Sequence, residues 1–511
     1  MKNVKVFCSL LFFLAAGSIA QAQDNGFWGR LPSGSFTPGF RLIETTDSTR
    51  SYPAGEGGLA PRPMRIYVWY PAKQTDGERM KIGEYVRMGL EDLRTTILPV
   101  PLAKGVAPDK LQSFLDSPAA AVRDAEAGPG KYPLLIFGQG LFYESAFSNF
   151  VICEFLASHG YVVAACPLLG TRYRLVNRNV EDLETEVRDM EFAMAAAGAL
   201  PFADRGKLGV IGYDLGGMAG LILCMRHPEV GAFLSLDSGI LDKHPMGIPH
   251  SHPQYREDRF TIPWMHMTQD QFIRTEKERA AESSLFERKS FGPSYLVHVP
   301  TPNHGDFSSY AALGVAAEGP GYWERPVSDS RSLYEKISRL SLAFFESVFK
   351  NDGAALDGYL AAGASAIQDT TSFKIEYKKG SAAPPAEDTL VRLIIERGIG
   401  EARPLIEGIR RNSPALEPID ESVLNWLGLH FLYWWGRGEE AAGVFEVACV
   451  LHPASWKASY NLGDAYSALG RTEEAIRSYK RSLELNPKNE YAKAAIERLS
   501  PPAKKKARNE S

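Results

Sequence analysis

The sequence predicts a doubly wound, mostly parallel α/β sheet followed by an all-α helical-repeat segment. Three observations lead there. Between residues 132 and 350, short apolar runs alternate with amphipathic helical stretches, the pattern of a parallel sheet covered on both faces. Runs such as "YPLLIFG" and "YVVAACP" are apolar throughout rather than at every second position, as strands buried on both faces are. Near the C-terminus Ala441, Phe445, Ala448 and Pro453 recur as Ala475, Tyr479, Ser482 and Pro487, each 34 residues on.

Bulk properties agree with a multidomain globular chain. The 511 residues are too many for one ordinary core. A net charge of −4 leaves no electrostatic footprint for nucleic acid. Basic residues cluster only in the tail at 501–511, "PPAKKKARNES", which reads as a solvated end.

Residues 1–22 read as a cleaved signal peptide. Lys2 and Lys5 precede an apolar run that ends in Ala20-Gln21-Ala22. The run is short for a bilayer span, and no other stretch suits one. The expected product is exported, periplasmic or extracellular. Cys8 leaves with the leader. Cys153, Cys166, Cys224 and Cys449 lack paired or metal-type spacing and read as buried free thiols.

The first domain is expected over 23–350. "FRLIETT" and "PMRIYVWYPA" read as two strands. Residues 81–130 turn polar and helical, an insertion with no strand run. "YPLLIFGQG" is a buried strand ending in glycine, "FSNFVICEFLASHG" a helix stopped by Gly160, and "YVVAACP" the next strand. Leu183, Val187, Met190 and Met194 then share one helical face. "KLGVIG", "GAFLSLD", "IPWMHMTQD" and "SYLVHVP" supply further strands, and Leu333, Ile337, Leu340 and Phe344 mark a long amphipathic helix. Residues 351–386 read as a linker and 387–500 as helical repeats, with 388–412 a degenerate helical pair. The second copy carries Leu462, Gly463 and Tyr466 at the offsets of a tetratricopeptide repeat, which it resembles. Ser459 and Ser482 depart from that pattern, at its usual tryptophan and alanine positions.

"GVIGYDLGG" carries the chemistry. A small residue, any residue, a central residue, any residue and a small residue between strand and helix form the layout of a nucleophile elbow, here with Asp214 at the centre. Gly212 and Gly216 suit a turn where strand and helix nearly collide. The N–H of Leu215, at the helix start, would face a developing oxyanion. An aspartate before a helix is also an ordinary cap. Downstream, Asp237 ends the next strand and His304 lies in the loop after the last one. Nucleophile, acid and histidine in that order, each at a strand's carboxyl end, is the α/β-hydrolase arrangement.

On "RPMRIYVWYPA", "KYPLLIFGQG", "LASHGYVVAACP", "EVRDMEFAM", "NHGDFSS" and the elbow, residues 28–350 resemble the exported α/β-hydrolases related to dienelactone hydrolases and platelet-activating-factor acetylhydrolases. The resemblance implies cofactor-independent hydrolysis of small acyl or lipid-like esters. It also implies that Asp237 orients His304, that His304 is the general base, and that Leu141 and Leu215 supply oxyanion-hole N–H groups. Gln139 replaces a histidine frequent in that group. Asp214 replaces its serine, and this changes the reaction. A carboxylate attacking an acyl carbon gives a high-energy anhydride. At an sp3 carbon it gives an alkyl ester, which water can hydrolyse. Haloalkane dehalogenases and epoxide hydrolases on this fold work that way. They need leaving-group donors, for which Tyr143, Tyr173, Tyr213 and Trp264 are candidates by position. His244, His250 and His252 are zinc-ligand types close in sequence, but lack a carboxylate or cysteine at ligand spacing, so no metal is expected.

Two functions stay open at this level. One is a hydrolase acting through Asp214, His304 and Asp237. The other is an inactive binding or scaffold protein that uses its repeats for a protein partner.

Overall fold

The computed structural model describes residues 28–53, 57–92, 108–141, 145–241, 248–269, 283–301, 303–313, 327–363, 373–412 and 416–500. The signal-peptide reading, the basic tail, Tyr143 and His244 fall outside these residues. Two compact units divide the chain. The first takes residues 1–255, 262–288 and 293–379; the second takes 256–261, 289–292 and 380–511.

An eleven-stranded sheet organises the first unit. Its strands are β1 (Thr37–Pro53), β2 (Leu59–Ala72), β3 (Arg79–Lys81), β4 (Pro118–Arg123), β5 (Tyr132–Gly138), β6 (Val162–Ala165), β7 (Ala203–Tyr213), β8 (Val230–Leu236), β9 (Trp264–Gln269), β10 (Ser294–Val299) and β11 (Lys374–Lys378). The spatial order is β11-β10-β9-β8-β7-β5-β6-β2-β1-β4-β3. From β6 through β10 every neighbouring pair is parallel. The β1–β2 pair is a long antiparallel hairpin, joined to the parallel block through β2–β6. Every residue of β5, β6 and β9 is buried, which is why those runs lack alternation.

The longer helices of this unit are α1 (Ile82–Asp92), α2 (Pro108–Asp116), α3 (Phe150–Ser158), α4 (Val180–Gly198), α5 (Leu215–Arg226), α6 (Val327–Phe349) and α7 (Ala354–Gly363). The whole of α3 is buried. Its Glu154 carboxylate accepts from Trp28 Nε1 (3.0 Å), Tyr85 Oη (2.9 Å) and the N–H groups of Ala120 (3.1 Å) and Ala121 (3.0 Å). One buried acid with four donors thus ties α1 and β4 to the central layer.

Two stretches depart from the sequence reading. Residues 81–130 were expected to hold no strand, yet β4 lies within them. "PAAAVR" is alanine-rich and has helical propensity, but β1 and β3 both claim its backbone. Residues 351–386 were expected to be a linker, yet they contain α7 and β11. β11 pairs antiparallel with β10 and closes one edge of the sheet. Its sequence, "KIEYK", is short and charged, which hides it from periodicity and protects the edge from further pairing.

In the second unit, α8 (Glu387–Arg397), α9 (Ile399–Asn412), α10 (Glu421–Leu429), α11 (Gly438–Leu451), α12 (Trp456–Ala468), α13 (Thr472–Leu485) and α14 (Glu490–Leu499) succeed one another. A π-helical turn, His430–Trp434, extends α10. Side-chain caps set several starts: Asp420 accepts from the Ser422 N–H, Ser455 from that of Ala458 and Asn489 from that of Ala492. Ala475, Tyr479, Ala492 and Ala495 form the core of the last helices. No helix among the described residues is long and apolar enough to cross a membrane.

Candidate active site

The elbow forms where β7 ends and α5 begins. Asp214 sits between them at φ 48°, ψ −114°, a conformation that side-chain-bearing residues rarely adopt. A Cβ on Gly216 would overlap the Gly138 carbonyl, and one on Gly212 would overlap the backbone of Gly216 and Gly217. Strand, turn and helix therefore touch backbone to backbone. The Ser238 hydroxyl donates to the Asp214 carbonyl (2.7 Å) and braces the turn from the next strand's end.

The Asp214 side chain does not cap α5. Its Oδ2 instead accepts the backbone N–H of Leu141 at 3.0 Å, across from the loop after β5. The residue is 8% exposed. Leu215 is the first residue of α5 and is buried.

Asp237 follows β8, and its carboxylate is held from three sides. Thr268 Oγ1 (2.9 Å) and the Gln269 N–H (3.2 Å) donate to Oδ1, and Gln269 Nε2 donates to Oδ2. His304 Nδ1 lies 2.6 Å from Oδ2. Burial works to raise the Asp237 carboxyl, but His304 and Gln269 together hold it below the usual carboxylate range. Burial likewise works to lower His304. The bond and charge of Asp237, with the charge of Asp214, outweigh it and raise the imidazole above its ordinary value. His304 Nε2 is 4.0 Å from Asp214 Oδ2, beyond direct hydrogen bonding but facing the carboxylate.

The structure thus brings Asp214, Asp237, His304, Leu141 and Leu215 together at the carboxyl ends of β5, β7, β8 and β10. The leaving-group candidates fare differently. Trp264 opens β9, at the opposite end of the strand from Gln269, and its fully buried indole donates to Ser235 Oγ (3.0 Å). Tyr213 donates to the His304 carbonyl (3.1 Å) and stacks on its ring at 4.6 Å, so it positions the histidine. Tyr173 is 71% exposed in the loop after β6. His252 pairs with Glu184 (3.0 Å) while His250 packs on Tyr255, so the two rings serve separate contacts. Thr268, Gln269 and Ser238 escaped the sequence reading. The only signal was polarity, "TQ" ending an apolar strand and a serine after Asp237.

A parallel block entered by an antiparallel hairpin, with an elbow after its central strand, decides the architecture. The fold is that of the α/β-hydrolases. A tetratricopeptide-repeat family model matches residues 456–489 of the segment that follows. No curated protein sequence matches this chain. Among solved structures, it is similar to a ferulic acid esterase from Streptomyces cinnamoneus. That match has 16% identity and a TM-score of 0.49, covering 68% of this chain and 98% of the other.

Proposed function

We propose that this chain is an exported, cofactor-independent hydrolase in which Asp214 attacks an electrophilic sp3 carbon of a small or lipid-like substrate. The Leu141–Asp214 hydrogen bond carries this reading. With Oδ2 held by the N–H, the other carboxylate oxygen is the nucleophile. It forms a bond to the carbon as the leaving group departs with its electron pair, giving an alkyl ester of Asp214. The ester carbonyl oxygen is Oδ2, already at the N–H that would stabilise its oxyanion. His304 then takes a proton from water, whose oxygen attacks the ester carbonyl carbon, Cγ of Asp214. The bond from Cγ to the alkyl oxygen breaks, the departing alkoxide takes the proton back from His304 and leaves as the alcohol, and one water oxygen remains in the Asp214 carboxyl, which loses its proton to solvent. Asp237 holds the imidazole in the tautomer with Nε2 unprotonated and stabilises its charged form. Leu215 would supply a second N–H.

The same hydrogen bond argues against acyl transfer, because the carboxylate occupies the place of a substrate carbonyl oxygen. The test is intact-mass and peptide analysis of the His304→Ala variant incubated with haloalkanes, epoxides and activated esters. The expected result is an alkyl adduct on Asp214, and ¹⁸O entry at that residue in the wild type. Failure to find either across the panel sinks the proposal.

The repeat match at 456–489 favours a second reading, an inactive protein whose repeats bind a protein partner. Capture of a specific partner by the full chain, with no adduct from any substrate, would select it.

A further inference from the structure

Two serines in the matched repeat depart from its pattern, and their surroundings differ. Ser482, at the alanine position, is absorbed: its hydroxyl donates to the Trp456 carbonyl (2.8 Å) and accepts from Asn489 Nδ2 (3.0 Å). Ser459 stands where the repeat pattern places a tryptophan, three residues before Leu462 and four before Gly463. Ser459 is also buried, and its hydroxyl donates to the Ser455 carbonyl (3.2 Å) and lies 3.9 Å from Cys449 Sγ. Beside it opens a cleft of about 300 Å³.

Ser459 and Leu462 of α12 lie along the cleft, with Cys449 and Pro453 from the end of α11 and Arg477 and Arg481 from α13. The two arginines are four residues apart and share one face of α13. Their present partners are weak. Arg477 lies 3.9 Å from Glu473 and Arg481 2.9 Å from Glu484, and all four side chains are more than half exposed. Such surface pairs contribute little and give way to a better-placed anion.

We propose that this cleft is a binding site for a carboxylate with an aromatic-sized apolar body. The body fills the space left at Ser459, and the carboxylate meets Arg477 and Arg481. Planar guanidinium forks suit carboxylate oxygens. A volume near 300 Å³ is at the small end of ligand pockets, enough for one ring system rather than a long chain. Two sources share this chemistry, a free aryl acid and the C-terminal residue of a peptide.

The full chain, titrated calorimetrically with indole-3-propionate and with its primary amide, tests the proposal. A parallel arm uses the tripeptide Ala-Ala-Trp with a free or amidated C-terminus. The acids are expected to bind, and the amides to bind about tenfold more weakly or worse. Tighter binding of the tripeptide acid assigns a peptide end; equal or tighter binding of the free acid assigns a small molecule. Ser459→Trp refills the cleft and should abolish binding while raising the melting temperature. Arg477→Gln with Arg481→Gln, both surface changes, should lower affinity about tenfold without loss of folding. Binding unchanged in either variant, equal affinity for acids and amides, or no binding at millimolar concentration would overturn the assignment.

Discussion

Leu141 donates its backbone N–H to Asp214 Oδ2 at 3.0 Å, so the elbow's own side chain fills the position that the proposed function assigns to an oxyanion. Asp214→Ser should vacate that position. The shorter side chain frees the N–H while leaving His304 and Asp237 in place. Activity on short acyl esters should rise about 10²-fold or more, the scale on which one oxyanion donor acts. Steady-state kinetics on p-nitrophenyl acetate decide it, and no gain in kcat/KM refutes the geometric account.

The proposed mechanism needs a neutral His304. Its value is raised, so the acidic limb of the rate profile should have a midpoint above about 6.5. Asp237→Asn removes the partner that outweighs burial, so the midpoint should move to lower pH while the rate falls. A pH profile with an unmoved midpoint would show that another group controls the limb.

The same pair makes stability pH-dependent. His304 is raised in the fold, so its contribution is complete below about pH 6.5 and is lost as pH rises through its folded value. Asp237 is lowered, so its contribution is complete above about pH 3.9 and is lost as pH falls through its folded value. Urea unfolding of wild type and His304→Gln should therefore differ most near pH 5 and converge toward alkaline pH.

Arg62 is nearly fully buried, bonded to Asp189 (2.8 Å) and to the carbonyls of Leu169 and Gly170 (2.7 and 3.1 Å). Among the described residues, Arg62→Met leaves Asp189 with Arg50 as its one salt-bridge partner and releases the loop after β6. The expected loss is about 3 kcal/mol, near the low end for a broken buried pair. A drop under 1 kcal/mol in denaturant titrations would mean that the network relaxes around the gap.

Gly216→Ala forces a methyl into the Gly138 carbonyl. Because backbone faces backbone, no side-chain rotation relieves it. We expect a loss of about 3 kcal/mol or more and an inactive site, read by thermal melts and adduct formation together. A variant with wild-type stability would require a looser elbow than the structure has.

The sheet was legible because apolar runs in β5 to β10 keep their meaning whatever surrounds them. β4 and β11 were not, because alanine-rich "PAAAVR" and charged "KIEYK" become strands only through the neighbours they meet. The placement of the candidate residues was legible to the level of strand ends, which chain order supplies. The hold of Leu141 on Asp214 was not, since it joins residues 73 apart through a turn geometry that no local pattern encodes. Trp264 illustrates the converse. A tryptophan suits halide binding by type, but it opens β9 and is locked to Ser235.

The collar around the elbow is built from Gly138, Gly212, Gly216 and Ser238, and none of it from the side chain at 214. Every side-chain-bearing residue at that position shares the same backbone strain. Scaffold and reactivity are therefore separable variables here. A change of the side chain at 214 leaves that collar as it is, so the fold alone carries no vote on which bond is cut.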